Sequence, residues 1–369
     1  MREYALVLCV AAAVTYLLTP LARRLAIRVG AMAEPRDRDV HAIPTPRLGG
    51  LAIYGGVAAA FLVAHALPAL QAVFTYSDVQ AVLVAGAVIV AIGVIDDRWP
   101  LDALTKLAGQ VVAAGVMVLL GLQLLTITLP GLGVASLGVE GVPLTVGLAL
   151  LTINALNFVD GLDGLAAGVG AIASLAFFAF AYSLSSGQIT QGIAQERISS
   201  PALIAVVLAG ACIGFLPHNF SPARIFMGDS GAMLIGLMLA AMVTSLTGQF
   251  DYSNLPPATV FPVLLPLLLP LAVLAVPFVD LLLAVVRRTR AGRSPFAPDK
   301  EHLHHRLLEI GHSHTRAVLI MYFWTALLAF GAVAVSVTGG VLPVVGAVLA
   351  LGMVALLVIS VPRLRDRRT

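Results

Sequence analysis

Residues 79–98 read VQAVLVAGAVIVAIGVIDDR. The first seventeen carry no charge, and as an α-helix they extend about 25 Å, close to the thickness of a bilayer's hydrocarbon layer. Apolar and polar side chains do not alternate, so the segment does not suit a strand of a transmembrane barrel. Backbone N–H and C=O groups in lipid must pair internally, which leaves the helix. The run then stops on Asp96, Asp97 and Arg98, three charges that mark a membrane edge.

Outward from this segment the same pattern recurs. Apolar runs cover 3–22, 48–68, 79–95, 103–122, 144–159, 164–184, 201–217, 230–248, 259–286, 316–337 and 341–361. They predict an all-α, polytopic integral membrane protein with about eleven transmembrane helices. Composition agrees, because 59% of the 369 residues are hydrophobic and only 11% are charged, too few to coat a soluble globule of this size. Neither an internal repeat nor a low-complexity linker divides the chain, so a single multi-pass domain over 1–369 is expected. The Pro-rich stretch from Pro256 to Pro277 leaves room for a break or a re-entrant segment, and Leu124 to Pro143, rich in Thr, Gly and Val, reads as a small hairpin. Cys9 and Cys212 lie inside apolar runs and read as packing residues.

Charge placement sets the expected orientation. The first run is long for the core of a cleaved signal and is followed by Arg23, Arg24 and Arg28, so it reads as a first spanning helix with its N-terminus outside. Counting gaps from there, only Arg2 and Arg197 of the 22 Lys and Arg fall on the outer side. The C-terminus is then cytoplasmic, and the chain belongs in the inner (cytoplasmic) membrane. The net charge of +3 is small, and no nucleic-acid partner is expected.

Five segments rich in polar groups fall on the inner face. Arg36-Asp-Arg-Asp-Val-His41 through Pro46-Arg-Leu-Gly-Gly50 is a basic loop ending on a glycine pair at a helix start. Its backbone amides are able to approach phosphate, although a basic inner loop ordinarily sets topology and meets anionic lipids. Asp96 and Asp97 repel one another unless a divalent metal or a cationic neighbour lies beside them; a solvated helix cap is the other reading. Lys106, on the next helix with Gln110, supplies a point charge suited to phosphate. Asn154, Asn157, Asp160 and Asp163 recur every three residues at the end of a spanning helix, with Gly161 and Gly164 permitting tight turning. Four such side chains in one row are expensive in a membrane, which favours function over a structural seam. Asp229, within the segment from Pro217-His-Asn-Phe220 through Phe226-Met-Gly-Asp229-Ser-Gly231, fits either a helix N-cap or a ligand holding Mg²⁺ against a phosphate. The longest inner loop carries His302, His304, His305 and Arg306, whose spacing fits no standard zinc site and suits oxyanions and sugar hydroxyls. Asp280 alone reaches inward, about two helical turns from Arg287.

In order, Asp96-Asp97 with the later Lys106, Asn-x-x-Asn-x-x-Asp-Gly-x-Asp-Gly from Asn154, Met227-Gly-Asp-Ser-Gly231 and His302-x-His-His305 resemble the polyprenyl-phosphate N-acetylhexosamine-1-phosphate transferases, glycosyltransferase family 4. The similarity runs through essentially the whole chain. It implies that Asn157 and Asp229 bind Mg²⁺, with Mn²⁺ as a substitute, and that Asp96 and Asp97 serve the acceptor phosphate and catalysis. It further implies that Asp163 contacts uracil, that Asn154 and Asp160 belong to the substrate-binding row, and that Lys106 and the stretch from His302 to Arg306 contact pyrophosphate and sugar. The His-x-His-His pattern is similar to the branch using UDP-GlcNAc. The implied reaction passes GlcNAc 1-phosphate from UDP-GlcNAc to undecaprenyl or decaprenyl phosphate, releases UMP and initiates a cell-envelope glycan, with a homodimer as the implied assembly. UDP-MurNAc-pentapeptide and UDP-GalNAc are alternative donors. An ion-coupled transporter is the rival class, and it predicts ionisable groups near the bilayer midplane, where only Asp280 approaches.

Overall fold

The computed structural model describes residues 1–33, 44–129, 133–185, 199–247, 312–338 and 340–365, together with 286, 289–290 and 292. The described helices are α1 (Arg2–Val29), α2 (Gly49–Ala66), α3 (Asp78–Arg98), α4 (Ala103–Leu119), α5 (Gly141–Val159), α6 (Leu165–Ser185), α7 (Ser199–Asn219), α8 (Gly228–Thr247), α9 (His314–Thr338) and α10 (Val341–Arg365). Eight are long and apolar enough to cross a membrane, while Ala103–Leu119 and Val341–Leu356 are shorter apolar helices. The chain is a predominantly helical, polytopic membrane protein. Its helices coincide with ten of the expected spans; the run at 259–286, with Asp280, lies outside the described residues, as does the opening loop through His41.

Two small ribbons accompany the bundle. The expected hairpin forms from β3 (Thr126–Leu129) and β4 (Gly133–Ser136), paired antiparallel with Thr126 opposite Ser136. A shorter pair, β1 (Met32–Ala33) and β2 (Thr45–Pro46), joins the exit of α1 to the entry of α2. Gly30 ends α1 in the left-handed conformation, and Ala31 N donates back to Ala26 O at 2.9 Å, which closes the helix with its last carbonyls satisfied.

At the centre stands α8, in which every residue except Asp229 is buried. It packs against α2, α3, α5 and α7. Lipid tails are as apolar as leucine, so helices in a membrane associate through close packing and interhelical hydrogen bonds, which small residues permit. The sequence of α8 supplies them. Gly231 lies against Gly50 of α2, Ser230 against Gly93 of α3, and Gly236 against the backbone of Ile153 in α5, where Thr152 Oγ1 also donates to Gly236 O at 2.8 Å. On the other flank α7 meets α1, with Gly210 and Gly214 against the backbone at Leu8 and Ala12. At the far end of α8, Ser245 Oγ donates to the buried Asp78 at the start of α3.

This arrangement positions the polar segments. Helices α3 and α5 end, and α4 and α8 begin, at one end of the bundle. Pro100 stops α3, and Asp102 starts α4 by accepting from Leu104 N and Thr105 N at 3.0 Å each. The hydrogen bonds from Thr105 hold the Asp102 carboxyl below its ordinary range. Lys106 follows in the first turn, its own N–H bonded to Asp102 O at 3.0 Å.

Candidate active site

Two carboxylates from different helices meet on one ammonium. Lys106 Nζ lies 2.6 Å from Asp229 Oδ1 and 3.0 Å from Asp96 Oδ2. The other oxygen of Asp96 accepts from Leu101 N at 2.7 Å, which ties the end of α3 to the turn before α4. These three side chains, 133 residues apart at the extremes, form a compact charged knot over the first turn of α8.

Asp97 faces elsewhere. Its Oδ1 accepts from Asp229 N at 2.8 Å, and its Oδ2 accepts from Ser230 N at 3.2 Å and Ser230 Oγ at 2.8 Å. A carboxylate at the positive end of a helix satisfies the free N–H groups and complements the macrodipole. Asp97 therefore caps α8 from a neighbouring helix, and at 4% exposure it is closed to solvent. Both its oxygens accept from α8, at the residue that the sequence assigns to the acceptor phosphate. This cap removes the N-cap reading of Asp229, whose carboxylate turns to Lys106. Gly228 makes the geometry possible: its φ is 71°, and a Cβ there would run into the Asp97 carboxylate.

The row from Asn154 to Asp163 divides. Helix α5 ends at Val159, with Asp160 as its C-cap, so only Asn154 and Asn157 lie on helix. Asn154 Nδ2 donates to Gln110 Oε1 and to Leu150 O, both at 2.8 Å, which makes it a tie between α5 and α4. Asn157 differs, because its Oδ1 is buried and has no hydrogen-bond partner among the described residues. A buried acceptor left open asks for a ligand. With Ile153 against Gly236 and Asp160 within the field of Asp229, antiparallel α5 carries Asn157 to within about one turn of Asp229's level.

Asp160 sits where the acidic groups converge. Burial, followed by the charges of Asp229 and Asp97, pushes its carboxyl up to about 7, with Asp163 adding to the rise and Arg47 opposing it. Asp163 braces the segment before α8, its Oδ2 accepting from Ala223 N at 3.0 Å. Asn219, which the sequence reading passed over within Pro217-His-Asn-Phe220, completes the brace. It accepts from Gly164 N at 3.1 Å and donates to Ile225 O at 3.0 Å, while the Tyr322 hydroxyl of α9 donates to Gly164 O. Ser230 was likewise passed over, although it lies inside the Met-Gly-Asp-Ser-Gly motif. The glycine pair at Gly49 and Gly50 gives its amides to Phe226 O at 3.1 Å and Met227 O at 3.0 Å, so these groups hold the segment before Asp229 in place of phosphate. His302, His304, His305 and Arg306 lie outside the described residues.

The residues fit a magnesium ion. Mg²⁺ takes one or two protein oxygens and completes its octahedron with water and phosphate oxygens. The open Asn157 Oδ1 and the Asp229 carboxylate offer such a pair; a cage of three or more His, Cys, Asp or Glu does not occur among the described residues.

A profile described as glycosyl transferase family 4 matches residues 79–247, the interval holding every one of these contacts except those of α2 and α9. The decaprenyl-phosphate N-acetylglucosaminephosphotransferase of Mycolicibacterium smegmatis is 56% identical over 336 residues, covering 90% of this chain and 82% of the relative. The chain belongs to glycosyl transferase family 4. It is a phosphoglycosyltransferase, and the motif set read from the sequence identified the family correctly. The protein of the same name from Mycobacterium leprae is 52% identical over 376 residues, spanning 100% of this chain and 92% of that one. A probable undecaprenyl-phosphate N-acetylglucosaminyl 1-phosphate transferase of Bacillus subtilis is 35% identical across 83% of this chain and 77% of its own length.

Proposed function

We propose that this family member transfers GlcNAc 1-phosphate from UDP-GlcNAc to a polyprenyl phosphate, decaprenyl phosphate in the first instance, at the cytoplasmic face of the inner membrane. The relatives' names support the sugar and the lipid, since those over 50% identical are decaprenyl-phosphate N-acetylglucosaminephosphotransferases. Sidedness, with an outer N-terminus and a cytoplasmic C-terminus, is supported by the distribution of Lys and Arg, and an eleventh span at 259–286 is supported by its apolar text.

The observation that carries the reading is the bridge Asp96–Lys106–Asp229 beside the open Asn157 oxygen. In the proposed reaction a phosphate oxygen of the lipid attacks the β-phosphorus of the donor, the bond to the UMP oxygen breaks, and UMP departs. Two anions must approach, so charge is the obstacle. Mg²⁺ on Asn157 and Asp229 would offset charge on the transferring phosphoryl group. Lys106 holds Asp96 and Asp229 together and is placed to shift one of its three N–H groups to a phosphate oxygen. Asp97 keeps the first turn of α8, and with it Asp229, in register. A lipid phosphate with a second pKa of about 6 is already largely dianionic at neutral pH, so the chemistry does not require a general base. The motif at His302, His304, His305 and Arg306 supports contacts to pyrophosphate and sugar.

Purified protein incubated with Mg²⁺, polyprenyl phosphate and a panel of labelled UDP-sugars tests the assignment. Label is expected in the lipid phase from UDP-GlcNAc and far less from UDP-GalNAc or UDP-MurNAc-pentapeptide. No label from any donor contradicts it.

A further inference from the structure

The carboxylates at this end of the bundle outnumber the cations that touch them. Asp96, Asp97, Asp160, Asp163 and Asp229 gather there, and Lys106 is already bridged between two of them. A site that takes a phosphate from the membrane needs another positive group. One described side chain meets the requirement.

Arg47 stands two residues before Gly49, the first residue of a helix long and apolar enough to cross a membrane. Its backbone is registered to the catalytic segment from several directions. Arg47 N donates to Ala31 O at 2.9 Å, Phe226 N donates to Pro46 O at 2.8 Å, and Gly49 N and Gly50 N return bonds to Phe226 O and Met227 O. The next residue, Leu48, is 1% exposed and has a φ of 81°, a left-handed conformation that leucine seldom adopts and that persists only where the surroundings over-determine it. The chain thus turns sharply at a fixed point immediately upstream of α2 and adjacent to Met227-Gly228-Asp229.

The guanidinium carried on this rigid turn is half-buried and makes no hydrogen bond or ion pair among the described residues. Its charge favours the ionised form of Asp160, one of the clustered carboxylates. Arginine's planar fork matches phosphate oxygens two at a time.

We propose that Arg47 binds the phosphate of the isoprenoid acceptor, holding it at the membrane edge for attack; this deepens, and rests on, the transferase reading above. The acceptor is favoured over the nucleotide because Arg47 closely precedes α2, a helix long and apolar enough to cross a membrane, and a lipid headgroup meets the chain at the start of such a helix.

The test compares Arg47→Gln and Arg47→Lys with the unaltered protein in lipid nanodiscs. It measures equilibrium binding of a fluorescent polyprenyl monophosphate, the KM for each substrate, and the thermal midpoint. Arg47→Gln is expected to weaken acceptor binding and raise the acceptor KM about ten-fold or more, with donor KM and kcat moving less than about two-fold. Arg47→Lys, which keeps the charge and the fold but loses the fork, is expected to fall between the two, and it carries the test if the glutamine variant does not fold. Unchanged acceptor affinity in both variants, or a rise confined to the donor KM, overturns the proposal. If the unaltered protein binds the isoprenoid phosphate through Arg47 yet transfers nothing, the transferase reading fails while this site stands. If it transfers normally and Arg47→Gln does too, only this site fails.

Discussion

Asp97 receives hydrogen bonds from Asp229 N, Ser230 N and Ser230 Oγ, while Asp96, one residue earlier, takes Leu101 N and Lys106. Successive residues on a helix point about 100° apart, so two adjacent carboxylates answer to different neighbours. The sequence made their mutual repulsion legible and with it the need for a cationic partner, which Lys106 provides. It gave no sign that one of the pair would cap a helix 132 residues away. The division of labour predicts a division of effects. Asp97→Asn replaces an all-acceptor group by one with a single acceptor oxygen, leaving at least one buried donor at α8 poorly paired, at a cost of about 1–3 kcal/mol. Its thermal midpoint is expected to fall with its activity. Asp96→Asn retains the bond from Leu101 but turns its amide N–H₂ toward Lys106, which keeps Asp229 as its partner, so activity is expected to collapse with a smaller fall in the midpoint. Parallel thermal melts and transfer assays on the two variants check this; equal losses of stability contradict it.

At the scale of elements, the turn into α8 organises the site. Gly228 takes a φ of 71° where a Cβ would overlap the Asp97 carboxylate. Gly228→Ala is therefore expected to displace Asp97, lower the thermal midpoint and abolish transfer, whereas Gly115→Ala on α4, where a Cβ meets nothing within 4 Å, is expected to leave both intact. Comparable behaviour of the two variants in a melt and an assay counts against the cap as the organising contact. The row Asn154, Asn157, Asp160 and Asp163 was legible as a polar seam from its spacing alone. Its division was not, because nothing local shows that α5 ends at Val159, that Gln110 claims Asn154, or that Asn157 keeps a buried oxygen open among the described residues. Partners of that kind come from α4 and α8, which only the packing brings near.

Across the whole molecule, the length and spacing of apolar runs disclosed ten described helices and the β3–β4 hairpin, because the bilayer imposes length and internal hydrogen bonding on any chain that crosses it. The order of packing was hidden, since every helix is comparably apolar and lipid draws no distinction between faces. Only the small residues Gly231, Ala232 and Gly236, read beside Gly50 and Gly93, mark α8 as the helix around which the others close. Scattered motifs thereby converge on one end of the bundle, where we propose that Mg²⁺-dependent phosphoryl transfer proceeds through Asp229. The direct measurement is a single-turnover reaction with UDP-GlcNAc labelled on the β-phosphate, following label in the lipid and UMP in solution, for the unaltered protein and for Asp229→Asn matched in folding and membrane insertion. The account predicts equal release of UMP and capture of labelled phosphate by the unaltered protein, lost on removing Mg²⁺, and neither product from Asp229→Asn. Near-normal transfer by Asp229→Asn, or UMP release without label in the lipid, would contradict it.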